Sequence, residues 1–98
     1  MNIKEWISEY NEEAMMADGF DDAIIGICER FGNEPVVAYD RDKAIEILME
    51  MVAEGHEEDD EDIRDMAEEY FVYNVIGSYV GENTPVFVSL VPWDDLDE

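Results

Sequence analysis

In three stretches of the chain, apolar residues recur every three or four positions, which is the spacing of one face of a helix. The first stretch predicts a helix from Ile3 to about Ala17. Asn2 and Glu5 match the capping box that starts a helix, and Asp18-Gly19 matches the signals that end one. Five residues form the predicted buried face: Ile3, Trp6, Ile7, Tyr10 and Ala14.

A second stretch predicts a helix that begins after Asp40 or Asp42 and ends at Glu54-Gly55. Either aspartate can cap the helix, because its carboxylate can accept hydrogen bonds from the first backbone N–H groups. The predicted buried face again follows the helical spacing and comprises Ala44, Ile45, Leu48, Met49 and Val52.

The third and longest helix is predicted from Asp60 to Tyr79, acidic in its first half and apolar in its second. Its predicted buried face is Ile63, Met66, Ala67, Tyr70 and Asn74, which Phe71, Val72, Val75 and Ile76 then widen. A helix that is apolar on all sides is buried within a domain or covered by another chain. We therefore predict a homodimer, with a candidate dimer face formed by Tyr70, Phe71, Tyr73 and Tyr79.

Three strands are predicted, the first two of them joined by a turn. Ala23 to Cys28 is short, rich in isoleucine and bounded by turn signals, which favours a strand over the alternative of a helix from Asp22 to Arg30. Gly26 within it indicates a bulge, and a turn at 32–35 leads into a second strand at 36–39. The clearest strand pattern is 85–91. The predicted fold class is α+β, with three helices packed on a small, antiparallel, three-stranded sheet in one domain spanning 1–98 and a mobile acidic tail at 93–98.

Charge changes this picture of an ordinary small domain. The chain has 28 acidic residues against five basic ones and a formal net charge of −23. Hydrophobic residues still make up 47% and recur periodically, which favours a folded protein over a disordered one. Such a surface repels nucleic acid and anionic lipid, and it attracts basic proteins. The expected partner is therefore a basic, nucleic-acid-binding protein, with no direct contact to nucleic acid or membrane.

Compartment signals are few. The single cysteine, Cys28, cannot form an internal disulfide and fits a reducing compartment. No apolar run reaches the roughly 20 residues of a membrane span, and the first residues lack the features of a signal peptide. A cytoplasmic location is expected.

No pattern of catalytic or metal-binding residues is found, so neither enzyme activity nor a cofactor is expected. His56 is interpreted as a solvated loop residue and Cys28 as a small buried hydrophobe. An EF-hand register starting at Asp59 fails, because Arg64 stands at the glycine position and Tyr70 at the position of the bidentate glutamate.

The strongest functional candidate is the acidic run before the third helix, six consecutive carboxylates from Glu57 to Asp62. The helix dipole favours two or three acids at an N-terminus, not six. On a helix such a run carries a charge about every 1.5 Å of axis, close to the roughly 1.7 Å of duplex DNA. The predicted partner-binding residues are Glu57, Glu58, Asp59, Asp60, Glu61, Asp62 and Asp65.

Three segments, FDDAIIG, EPVVAYDRDKAIEILM and EEYFVYNVIGSYVGENTPVFV, resemble a family of small acidic phage- and prophage-encoded proteins of unassigned function. The resemblance covers roughly Phe20 to Val88. It implies a strand leading into a helix in the second segment and a helix leading into the last strand in the third. It brings no catalytic residues to this chain.

Two functional hypotheses remain. In the first, the chain resembles DNA-mimic inhibitors and occupies the nucleic-acid channel of a host defence or DNA-handling protein. In the second, it is a structural or interaction protein, a homodimer whose acidity serves only solubility. Adaptation to high salt is a further explanation of the acidity, which the isoleucine- and methionine-rich core disfavours.

Overall fold

The structure is a computed structural model that describes residues 1–54, 59–78 and 81–96. Helices and a single sheet are both present in this part of the chain, which confirms the α+β prediction and its three helices. In chain order the elements are α1 (Ile3–Tyr10), β1 (Ile24–Arg30), β2 (Asn33–Asp40), α2 (Arg41–Ala53), α3 (Asp60–Tyr70) and β3 (Val86–Val88).

Helix α1 starts where the sequence predicts and ends much earlier. The side-chain oxygen of Asn2 accepts a hydrogen bond from the backbone N–H of Glu5 at 2.9 Å, so the predicted cap is present. The predicted end near Ala17 is wrong, because Asn11 leaves the helix with an extended backbone at φ −160°. Its buried side-chain amide donates at 2.9 Å to the carbonyl of Pro35 and to Oδ1 of Asn83. These long-range hydrogen bonds replace those of a continued helix.

Strands β1 and β2 form an antiparallel hairpin closed by the two-residue turn Phe31-Gly32. This confirms a strand rather than a helix around Ala23 to Cys28. The predicted bulge is also present, since the register between the two strands shifts between Ile24 and Gly26. Gly32 has a φ of +80°, a conformation that glycine adopts without steric cost.

The third strand corrects the prediction of an antiparallel sheet. Strand β3 pairs parallel to β2, with Ala38 opposite Val86 and Asp40 opposite Val88, so the sheet is mixed and has the order β1-β2-β3. The chain between β2 and β3 passes through α2 and α3, and a long helical crossover of this kind permits parallel pairing. Strand β3 is also shorter than the predicted 85–91, and the chain beyond it includes a short 3-10 turn at Trp93–Asp95.

The core surrounds the central strand. Residues 36–39 of β2 are all buried, and both α1 and α2 contact this strand. The Tyr39 ring stacks on Phe87 of β3 with centroids 5.2 Å apart, and Phe87 meets Phe71 edge to face at 4.9 Å. The guanidinium of Arg41 lies 5.3 Å from the centre of the Phe71 ring, so a charged side chain covers this aromatic cluster.

Helix α3 continues into a π-helical turn, Phe71–Val75, and a 3-10 turn, Ile76–Ser78. Four residues spaced by four are buried along it: Ile63, Ala67, Phe71 and Val75. The predicted face was wrong at Tyr70 and Asn74, and its widening was wrong at Val72 and Ile76, since all four residues are exposed. Residues four positions apart drift gradually around an α-helix, because one turn contains about 3.6 residues. The π-helical turn contains more residues, so Phe71 and Val75 stay on the side of the helix that faces the core.

Candidate partner-binding surface

The predicted acidic surface lies at the N-terminus of α3. The Asp59 carboxylate caps this helix and accepts a hydrogen bond from the backbone N–H of Asp62 at 3.0 Å. The following three residues form an exposed, wholly acidic first turn. We call the described residues of this surface the acidic helix start: Asp59, Asp60, Glu61, Asp62 and Asp65. Glu57 and Glu58 of the predicted surface, like His56, lie outside the described residues.

No basic side chain among the described residues forms an ion pair with the acidic helix start. The ion pairs between described residues join Lys43 to Glu46 at 3.9 Å, and Arg64 to Asp42 at 3.6 Å and to Glu68 at 3.2 Å. Although Arg64 belongs to α3, its guanidinium contacts those two acids and none in the acidic helix start. Within the described chain, the carboxylates of the first turn therefore face solvent with their negative charge unpaired.

The position of these carboxylates determines what they can do. Acids in the first turn are stabilised by the partial positive charge of the helix N-terminus, and capping by Asp59 accounts for one of them. The other exposed carboxylates can accept charge-assisted hydrogen bonds from arginine or lysine side chains of another molecule. Their combined potential also accelerates encounter with a positively charged surface.

The candidate dimer face is only partly exposed in the structure. Tyr73 is 74% exposed and Tyr70 is 46% exposed, so both are available for contact. Phe71, by contrast, is fully buried against Phe87, and the structure removes it from this surface. Tyr79 lies outside the described residues. The neighbouring Val72 and Ile76 are also about half exposed, and we call Tyr70, Val72, Tyr73 and Ile76 the exposed helix face.

A second acidic surface was missed by the sequence analysis. A shallow depression of about 380 Å³ between the end of α1 and the start of β2 is lined by Ser8, Glu9, Tyr10, Asn11, Glu12, Glu13 and Glu34. Glu34 reaches this site only because β2 folds back beside α1, a contact that sequence spacing does not show. The acidic residues are therefore not confined to the start of α3.

The structure also contains an apolar groove beside the exposed helix face. It consists of two depressions of about 470 and 190 Å³ that share Leu48, Met51 and Tyr70. The described part of its lining comes from three separate segments, which explains why the sequence did not predict it. The described lining residues are Met16, Asp18, Gly19, Phe20, Leu48, Met51, Val52, Tyr70, Asn74 and Val75.

Among the described residues, no group of three or more His, Cys, Asp or Glu side chains is arranged to hold a metal ion. None of the described helices is both long and apolar enough to cross a membrane.

Comparison with known protein families, curated proteins and solved structures found no match. The resemblance to phage-encoded proteins therefore stays a prediction.

Proposed function

We propose that this protein is an acidic binding protein that occupies the nucleic-acid-binding surface of a basic partner through its acidic helix start. The observation that carries the proposal is an exposed, wholly acidic first turn of α3 that no described ion pair neutralises. Capping assigns a role to Asp59 and the helix dipole favours two or three acids in the first turn, whereas the sequence places six consecutive carboxylates from Glu57 to Asp62. Binding to a cationic surface gives these charges a function.

The choice of partner follows from charge and spacing. Proteins that bind nucleic acid present positively charged grooves that follow a closely spaced row of phosphates. Helical carboxylates with a charge about every 1.5 Å of axis match that density, although they spiral around the helix. Together with the resemblance to phage proteins, this favours a host defence or DNA-handling protein in the host cytoplasm as the target, and inhibition as the result.

Competition with nucleic acid tests the proposal. The tagged protein is used to capture partners from bacterial lysate at low and at high salt, and the captured protein is then titrated with duplex DNA and with RNA. We expect salt-sensitive capture and displacement by one of the two nucleic acids, because both ligands require the same positive groove. If saturating DNA and saturating RNA both bind the captured partner alongside this protein, the mimicry proposal is wrong.

Two variants that lose the same charge test whether the acidic helix start is the surface that binds the partner. The triple variant Asp60→Asn, Glu61→Gln, Asp62→Asn removes three charges and retains the cap at Asp59. The control variant Asp21→Asn, Asp22→Asn, Asp94→Asn removes the same charge from exposed positions elsewhere. We expect the first variant to weaken binding far more than the second. Equal weakening would show that only net charge matters.

The second candidate function is self-association, which the exposed helix face favours. Its four large side chains, Tyr70, Val72, Tyr73 and Ile76, are between 46% and 74% exposed. Neighbouring apolar side chains that stay exposed in this way are typical of protein–protein contacts. Sedimentation should then show a dimer that Tyr73→Gln with Ile76→Gln weakens and Phe31→Gln at the hairpin tip does not. A monomer at high micromolar concentration would exclude this candidate.

A further inference from the structure

We propose that the apolar groove between the loop after α1, helix α2 and the end of α3 is a docking site for an amphipathic, basic helix of a partner protein. This inference rests on the proposed function for the positive charge of the partner, and it adds an apolar contact at a different place. The acidic helix start would attract the partner, and the groove would hold one of its helices.

The groove combines a buried apolar floor with an open apolar rim. Its floor consists of core residues, with Phe20 and Val75 each 6% exposed and Leu48 2% exposed. Its rim consists of apolar side chains that remain open, with Met51 60% exposed and Tyr70 46% exposed. A helix laid in a groove inserts apolar side chains from one face at positions i, i+3, i+4 and i+7. The two joined depressions provide space for successive side chains of such a face.

The methionines suit an adaptable contact. Met16 lies in the loop after α1 and Met51 lies on α2, so the two residues line the groove from different segments. An unbranched thioether side chain adjusts to different apolar shapes, and methionine is common on surfaces that bind helices. Met51 is 60% exposed and can change rotamer at little cost, whereas Met16 is partly buried and packs against the core.

Charge decides which helix fits. Among the described residues, no lysine or arginine lines the groove, and the charged residue in its lining is Asp18. Exposed acidic residues also adjoin the rim residues in the sequence: Glu50 precedes Met51, Glu69 precedes Tyr70, and Glu54 follows the last residue of α2. A helix with basic flanks complements this rim. A second copy of this chain, itself at −23, offers few basic residues to flank such a helix, and an anionic membrane is repelled by the acidic rim.

The test uses two synthetic peptides of about 18 residues and identical leucine and lysine composition. In the first, leucines follow helical spacing and form one apolar face, whereas in the second the order is scrambled so that no face exists. Both are titrated by calorimetry into the full chain at about 0.15 M salt. We expect the amphipathic peptide to bind about tenfold or more tightly than the scrambled one, because only it can place leucines in the groove.

Uncharged substitutions then locate the contact. Met51→Gln with Tyr70→Gln should abolish the preference for the amphipathic peptide, whereas Tyr73→Gln, an exposed position outside the groove lining, should preserve it. Should the double variant fail to fold, Met51→Gln alone serves, since this side chain is 60% exposed and contributes little to the core. Equal affinity for the two peptides, or a preference that survives the groove substitutions, would overturn the proposal.

Two further results distinguish helix binding in the groove from nucleic-acid mimicry and from dimer formation. The triple variant of the acidic helix start should weaken both peptides to a similar extent and leave their ratio unchanged, so the groove can be confirmed even if nucleic-acid mimicry fails. If the wild type is instead a dimer that Met51→Gln dissociates, the groove is occupied by a second copy, and a basic partner helix is the wrong occupant.

Discussion

The phenolic oxygen of Tyr39 accepts a hydrogen bond from the backbone N–H of Ala17 at 2.7 Å, and both residues are buried. The Tyr39 ring also stacks on Phe87. One side chain of the central strand therefore connects the loop after α1 to the sheet and to β3. Because Met16 and Asp18 flank Ala17 in that loop, the same hydrogen bond positions one wall of the apolar groove.

Replacing Tyr39 with phenylalanine should lower the free energy of unfolding by about 1–3 kcal/mol. The substitution retains the aromatic stack and leaves the buried N–H of Ala17 without its acceptor. Urea denaturation measures the change, with Tyr73→Phe as the control, because Tyr73 is 74% exposed. Equal stability of the two variants would show that this hydrogen bond contributes nothing net.

Asn11 gives a second stability prediction. Its amide nitrogen donates to the Pro35 carbonyl and to Asn83 Oδ1, and its oxygen accepts from the backbone N–H of Glu13. Asn11→Ala should destabilise the fold by about 2 kcal/mol, and Asn11→Asp should destabilise it more, because a carboxylate cannot donate to two oxygens. Thermal unfolding compares them with Asn33→Asp, an exposed position in the hairpin. A milder effect of aspartate than of alanine would contradict this account.

Local signals in the sequence predicted local structure well. Asn2 and Asp40 both cap helices as expected, because a cap is a hydrogen bond between residues two or three apart. The bulge at Gly26 and the end of α2 near Glu54 were also predicted, since each depends on one residue type at one position.

Long-range contacts explain what the sequence did not predict. The periodicity of α1 extends to Ala14, yet Asn11 ends the helix to reach Pro35 and Asn83. The parallel direction of β3 depends on how α2 and α3 cross the sheet, which no local pattern specifies. The acidic helix start was evident as a run of like charge, whereas the apolar groove is formed by three segments distant in the sequence.

Two substitutions at Asp59 distinguish the effect of helix capping on stability from the effect of charge repulsion. Asp59→Ala should destabilise α3 by about 1 kcal/mol through loss of the cap, whereas Asp59→Asn retains a good capping side chain and removes one negative charge from the cluster. We therefore expect the asparagine variant to be at least as stable as the wild type. Circular dichroism during urea unfolding measures both, and a large loss of stability in the asparagine variant would show that the charge itself stabilises the helix.

Added salt should raise stability, because the acidic helix start is exposed and repels itself. Raising the ionic strength from about 0.01 to 0.1 M shortens the screening length from about 30 to 10 Å, which weakens repulsion between the carboxylates. The melting temperature should rise with salt in the wild type, and less steeply in the triple variant Asp60→Asn, Glu61→Gln, Asp62→Asn. The variant Asp21→Asn, Asp22→Asn, Asp94→Asn has the same net charge and should retain more of the wild-type slope, since its three positions come from two separate turns. Identical slopes for the two variants would mean that the net charge of −23, rather than the clustering of acids at the start of α3, opposes folding.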